Sequence, residues 1–203
     1  MKKEILIATE NLGKAKEIEE IFKDTDYKLR FLYEFQDQKG ELDIQENAKS
    51  FEGNALIKAI IVGEKFKMFT LADDSGICVD VLGGMPGVYS ARYSEEKTAE
   101  SNNAKLLAEL KDVPIERRYS HFHCAVAIYD PKTNFIETVE GKFEGRIAIS
   151  PKGNGFGYNP IFLSKDFDYQ KTSAELEKEK LISINHRGKA FRKAIEVLNK
   201  YFS

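Results

Sequence analysis

Cysteine is scarce in this 203-residue chain: the two that occur, Cys78 and Cys124, lie far apart with no Cys-x-x-Cys spacing. Both fall in apolar runs of strand character, so they read as reduced core residues and not as a disulfide or metal clip. Net charge is equally small. With 31 Lys and Arg against 33 Asp and Glu, the formal charge is −2, which argues against a general binder of nucleic acid. Any polyanion the protein holds must be met by a local cluster of cations. Long hydrophobic runs are missing too. After Met1-Lys2-Lys3-Glu4 only Ile5-Leu6-Ile7-Ala8 is continuously apolar, too short for a secretory signal, and no later run approaches a membrane span. These absences point to a cytoplasmic protein that partners neither nucleic acid nor membrane. Internal repeats, low-complexity linkers and the Gly-x-x-x-x-Gly-Lys-Ser/Thr signature of a P-loop are absent as well.

What remains is a chain with 42% hydrophobic and 32% charged residues, long enough to bury a core and form a cleft. Ile5-Leu6-Ile7-Ala8 reads as a buried strand, and Ala15, Ile18, Ile21 and Phe22 then share one face of a helix. Phe51, Ala55, Ala59, Val62 and Phe66 recur at helical spacing and lead to a strand over residues 68–72. Asp73-Asp74-Ser75-Gly76 reads as the end of that strand, with a second strand over residues 77–82 stopped by Gly83-Gly84-Met85-Pro86-Gly87. A helix is expected over about residues 98–111, and residues 117–129 and 135–147 predict a long hairpin. A glycine-rich loop, residues 153–160, precedes a short strand, and Phe191, Ala194, Ile195 and Leu198 mark a closing helix. The pattern predicts an α/β fold with a mixed sheet, one domain over residues 1–203 built as two lobes around a cleft.

Several segments carry groups suited to chemistry. Thr9, Asn11 and Lys14 sit where a strand gives way to a helix, whose N-terminal N–H groups and dipole favour phosphate; an ordinary solvated turn fits the same residues. Asp73 and Asp74 stand at a strand end, where open α/β sheets bind ligands, and successive strand residues face opposite ways, so only one of the two easily serves a given ligand. The alternative is that both cap a turn. A carboxylate about 4 Å from a phosphate oxygen is repelled by about 4 kcal/mol per charge pair at an effective dielectric of about 20. If Asp74 and a second acid such as Glu46 share a site with a triphosphate, a hard divalent cation must lie between them, and Mg²⁺ fits. His186-Arg187 begins the last helix, where a cation opposes the dipole and calls for an anionic or carbonyl-rich partner, unless the pair belongs to an exposed basic turn. Phe156 and Tyr158 offer rings on which a purine can stack, although the surrounding glycines also suit a plain tight turn. His121-Phe122-His123-Cys124 places two histidines on one strand face, but without further ligands at spacing it reads as packing.

In chain order, Thr9-x-Asn11-x-x-Lys14, Ser50-Phe51-Glu52-Gly53-Asn54-Ala55-x-x-Lys58-Ala59, Ala72-Asp73-Asp74-Ser75-Gly76, Gly84-x-Pro86-Gly87-x-x-Ser90-Ala91-Arg92-Tyr93, Gly155-Phe156-Gly157-Tyr158-x-Pro160 and His186-Arg187-Gly188-x-Ala190 resemble the inosine triphosphate pyrophosphatase family, in its bacterial dITP/XTP form. Each motif alone is weak, but six in order and at spacing are specific. The resemblance implies an elongated two-lobed fold with a long mixed sheet flanked by helices, a central substrate cleft and a homodimer. It implies Mg²⁺-dependent cleavage of a purine nucleoside triphosphate to the monophosphate and pyrophosphate. By position, Thr9, Asn11, Lys14 and Lys58 resemble triphosphate contacts, Glu46 and Asp74 the metal and water-activating acids, and Ser75 a substrate contact. Phe156, Gly157, Tyr158 and Asn159, with His186 and Arg187, resemble the base and sugar site. Asn159 and Asn185 stand where the family usually has Asp and Ser, and the family's base-proximal lysine falls on Leu181, one residue after Lys180. A one-residue offset turns a helical side chain by about 100°. Competing expectations are a nucleotide-binding regulatory module without hydrolysis, and the same chemistry on another nucleotide.

Overall fold

In the computed structural model, which describes residues 2–35, 37, 40 and 42–203, the first apolar run forms β1 (Lys3–Ile7). Ile5, Leu6 and Ile7 are all fully buried, so this strand needs cover on both faces, as interior strands of parallel sheets do. It pairs in parallel with β2 (Tyr27–Phe31) and with β3 (Thr70–Val79). Parallel pairing requires crossovers, and two helices provide them: α1 (Leu12–Phe22) and α2 (Phe51–Phe66). The sheet order is β2-β1-β3-β4-β5-β6, where β4 is Tyr119–Asp130, β5 Phe135–Ile147 and β6 Phe162–Ser164. With β5 and β6 antiparallel, the sheet is mixed, as expected. Gly145 sits opposite Ser164, and a Cβ there would lie 2.3 Å from the Leu163 carbonyl oxygen, so only glycine permits this approach.

One expectation is corrected. Residues 68–82 do not form two strands around an Asp-Asp-Ser-Gly turn: β3 runs unbroken through these four residues. The composition has turn character, but each aspartate finds a partner from another element, and tertiary contacts override local propensity. Alternation along β3 then decides their surroundings. Leu71 belongs with Ile5, Ile7, Ile18, Phe22, Phe191 and Leu198, whereas Ala72 belongs with Leu6, Ala55, Ala59 and Val62. Asp73 follows the first set and Asp74 the second.

The remaining helices are α3 (Ala99–Glu109), α4 (Lys178–Ile184) and α5 (His186–Phe202). Thr98 caps α3, and Ser101 reciprocates from the first turn. The chain divides into two compact units, residues 1–74, 124–141 and 187–203 forming the first, residues 75–123 and 142–186 the second. The first holds the two clusters just described. The second has its own core, in which Ile77, Val79, Leu106, Leu110, Phe122, Phe143, Ile147 and Phe162 meet. Both cysteines are free thiols; Cys124 is a buried core residue as expected, whereas Cys78 is only half-buried and lies outside the core clusters. Among the described residues no helix is long and apolar enough to cross a membrane.

Candidate functional site

In the first unit, the start of α1 is fixed by Asn11, whose Oδ1 accepts hydrogen bonds from Gly13 N at 2.9 Å and Lys14 N at 3.1 Å. Buried Thr9 supports it, its Oγ1 accepting from Asn11 N at 3.2 Å. This cap holds Lys14 in the opening turn of the helix, from where its Nζ donates to Asp73 Oδ2 at 2.9 Å. Asp73 is only 2% exposed. Arg187 Nε lies 3.5 Å from the same oxygen, and its Nη1 donates to Glu17 Oε2 at 2.7 Å. The Cys124 thiol also faces Asp73 Oδ2, at 4.0 Å. Burial pushes the Asp73 pKa upward, but Lys14, Arg187 and Lys58 outweigh it and hold the carboxyl well below the usual carboxylate range. Burial, reinforced by Asp73, drives the Cys124 thiol far above its ordinary value. Arg187 opens α5 as expected, and the anionic compensation it requires comes from Asp73 and Glu17.

On the opposite face of β3, Asp74 Oδ2 accepts from Asn54 Nδ2 at 2.9 Å. Asn54 Oδ1 in turn accepts from Ala48 N at 2.9 Å, which ties α2 to the segment carrying Glu46. Ser50 caps that helix, its Oγ accepting from Gly53 N at 3.1 Å. Lys58, one turn further along α2 from Asn54, forms an ion pair with Glu46 and donates to the Asp73 carbonyl oxygen at 3.1 Å. Burial raises the Asp74 pKa above the usual range; the Asn54 hydrogen bond, Lys58 and Lys14 oppose this, and Glu46 adds to it. For Lys58, burial lowers the pKa, but Asp73, Glu46 and Asp74 more than offset it and leave the ammonium firmly protonated. A carboxylate whose pKa lies above its ordinary value is a stronger base.

The residues fit a hard cation. The Glu46 carboxylate adds to the rise in the Asp74 pKa, and both side chains offer oxygen donors. Among the described residues no group of three or more His, Cys, Asp or Glu side chains forms a ready-made metal cage. A cation held by these two acids would therefore complete its shell with water and ligand oxygens, as Mg²⁺ ordinarily does.

In the second unit, Ser75 lies within β3 and is half-buried. Of the two rings in the glycine loop, Phe156 is 56% exposed, whereas Tyr158 is buried in the core and its hydroxyl donates to Ser90 O at 2.8 Å. Gly157, at φ 59°, presents its carbonyl oxygen to Asn103 Nδ2 at 3.1 Å. Asn159 opens a short 3₁₀ turn ending at Ile161. His186 is buried and stacks on Phe122 with ring centroids 4.8 Å apart. Leu181, on which the resemblance places a lysine, packs against the second core, while Lys180 is exposed on α4. Asn185 is buried where α4 ends. The histidines of β4 lie with rings 6.3 Å apart, and among the described residues they belong to no group of three or more metal-ligating side chains.

Thus Thr9, Asn11, Lys14, Glu46, Lys58, Asp74 and Arg187 fall in the first unit, and Ser75, Phe156, Gly157, Tyr158, Asn159 and His186 in the second. Sequence reading gave no role to Glu17, Asn54 or Asn103. Glu17 lies three residues after Lys14 on α1 and Asn54 four before Lys58 on α2, spacings that put each pair on one helix face and were available as a signal. Asn103 carried none.

Fold and site define a mixed α/β protein with a carboxylate–lysine centre on a strand flanked by two helices. The sequence model of the Ham1 family matches residues 5–197. A dITP/XTP pyrophosphatase of Desulforamulus reducens is 44% identical over 200 residues, covering 98% of this chain and 96% of the relative. One of Bacillus subtilis is 44% identical over 198 residues, covering 97% of each. Among solved structures, a HAM1 protein from Coxiella burnetii matches with a TM-score of 0.86 at 34% identity, covering 98% of this chain and 99% of that one. The chain belongs to the Ham1 family.

Proposed function

We propose that the protein hydrolyses non-standard purine nucleoside triphosphates (ITP, dITP and XTP) to the monophosphate and pyrophosphate, with Mg²⁺ as cofactor, as a cytoplasmic homodimer. The observation that carries this reading is the gathering of Lys14 and Lys58 with Asp74 and Glu46 around β3. The activity named for the 44% identical relatives supports it. In this reading Thr9, Asn11, Lys14 and Lys58 bind the triphosphate, Ser75 contacts the substrate, and Phe156, Gly157, Tyr158, Asn159, His186 and Arg187 serve the base and sugar.

Asp74 orients a water toward the α-phosphorus and takes its proton, a role suited to a carboxylate whose pKa is raised by burial. Asn54 holds the side chain in place through its 2.9 Å hydrogen bond. Lys14 and Lys58 stabilise charge on the departing pyrophosphate. Mg²⁺ held by Glu46 and Asp74 would neutralise phosphate charge and polarise the phosphoryl oxygens. Selectivity follows from hydrogen bonding: a donor facing O6 suits hypoxanthine and xanthine, whereas adenine presents an amino group there, and an unmatched buried donor costs about 1–3 kcal/mol. Because the Arg187 guanidinium is engaged by Glu17 and Asp73, backbone N–H groups of the glycine loop become the favoured donors.

The test is pyrophosphate release from ITP, XTP, GTP, ATP and dUTP with and without Mg²⁺, alongside the Asp74→Asn variant. Wild type is expected to prefer ITP and XTP. Asp74→Asn is expected to lower kcat by about 10²–10⁴-fold while nucleotide binding persists. Binding without turnover in the wild type would instead indicate a regulatory nucleotide-binding module.

A further inference from the structure

Resting on the pyrophosphatase reading, we propose that Asp73 is a positioning residue that holds Lys14 until a polyphosphate arrives and then yields it, keeping Arg187 as its standing counter-ion. Asp73 lies on the face of β3 opposite Asp74 and is 2% exposed, so its own carboxylate does not serve a ligand bound by Asp74. Burying a carboxylate is unfavourable unless it is well paired. Its placement becomes intelligible through the cations it gathers. Its Oδ2 accepts from Lys14 at 2.9 Å, with Arg187 Nε at 3.5 Å, and its carbonyl oxygen accepts from Lys58 at 3.1 Å. Both lysines assigned to the phosphates are thus held by one residue.

The two side-chain cations are not equivalent. The Lys14 side chain is 18% exposed and carries a flexible stem, whereas Arg187 is sealed at 5% and is also tied to Glu17 at 2.7 Å. Lys14 is therefore the cation that can leave. Its departure to a phosphate does not strand a buried anion, because Arg187 stays. A carboxylate paired with Lys14 alone would resist the exchange, since it would be left buried without compensation.

The experiment measures binding of inorganic tripolyphosphate by calorimetry to the full chain as wild type, Asp73→Asn, Lys14→Met and the double variant. Asp73→Asn is expected to tighten binding about tenfold, because Lys14 no longer has to be drawn from a carboxylate, and by less than about twofold in the Lys14→Met background. An equal gain in both backgrounds, or none in either, overturns the proposal. With ITP, Asp73→Asn lowers KM and kcat together, whereas a purely structural loss reduces the active fraction at unchanged KM. Should Asp73→Asn fail to fold, a crystal structure of the wild type with tripolyphosphate decides. Lys14 on a phosphate oxygen with Arg187 still on Asp73 supports the exchange, and Lys14 still on Asp73 overturns it. A wild type that makes the exchange but leaves ITP and XTP intact refutes the pyrophosphatase reading alone; one that binds no tripolyphosphate refutes both.

Discussion

Adjacent aspartates on β3 show how far a single residue's surroundings set its chemistry: Asp73 is held far below the ordinary carboxylate range and Asp74 lifted above it. The sequence made Asp74 a candidate and strand alternation put Asp73 on the other face, but the identity of Asp73's partners depended on Arg187, 114 positions away in the chain. The two rings of the glycine loop separate in the same way. Nothing local distinguishes Phe156 from Tyr158, yet only Phe156 is exposed. Phe156→Ala should raise KM for ITP with little change in kcat, consistent with a stacking contribution of about 1–3 kcal/mol per base. Tyr158→Phe removes a buried hydrogen bond to Ser90 O and should instead cost about 1 kcal/mol of stability, read by urea denaturation. His121 supplies a pH dependence. Burial, then Lys142, lowers its pKa below the ordinary 6.5, so the unfolded chain takes up its proton first as pH falls. Its contribution to stability is present above pH 6.5 and is lost on acidification through the folded pKa. Denaturant midpoints measured from pH 7.5 to 5 should fall less steeply in His121→Gln than in the wild type, and identical slopes would refute this.

At the level of elements, helices were the most legible feature because their apolar spacing reports directly on one buried face. Ala15, Ile18 and Phe22 on α1 are buried as that spacing requires, and so are Phe51, Ala55, Ala59 and Val62 on α2. β3 was not, because Asp-Asp-Ser-Gly has turn composition and its partners, Lys14 for Asp73 and Asn54 for Asp74 within a strand paired on both sides, come from other elements. Asn11 was legible as a polar residue before a helix but not as its cap, a distinction that needs the backbone geometry. Asn11→Ala should cost about 1 kcal/mol of stability through loss of the two N–H contacts. Asn11→Ser, which can still cap, should recover most of it. At the other end of the sheet, Gly145→Ala forces a Cβ against the Leu163 carbonyl, and overpacking of this kind costs about 1–3 kcal/mol. Thermal unfolding of the two variants against wild type reads both effects.

At the level of the whole molecule, the two units interleave along the chain: three segments make the first and two make the second. No change of composition marks their borders, and three of them fall inside the strands β3, β4 and β5, which is why a linear reading finds no linker. The cores they bury nevertheless have no residue in common. Ile7 belongs to the first unit and Ile147 to the second, both fully buried. Ile→Val at either site removes one methylene group and should cost about 0.5–1.5 kcal/mol. Since the two side chains have separate packing partners, the double variant should equal the sum of the singles within about 0.5 kcal/mol. Ile7 and Leu71 provide the contrast, because they are register partners on β1 and β3 and belong to the same cluster. Ile7→Val combined with Leu71→Ala should depart from additivity by about 0.5 kcal/mol or more, as one enlarged cavity relaxes differently from two. Denaturant unfolding of the two double variants and their singles makes the comparison. Coupling between Ile7 and Ile147 as large as that between Ile7 and Leu71 would mean that the cores do not respond to packing loss independently.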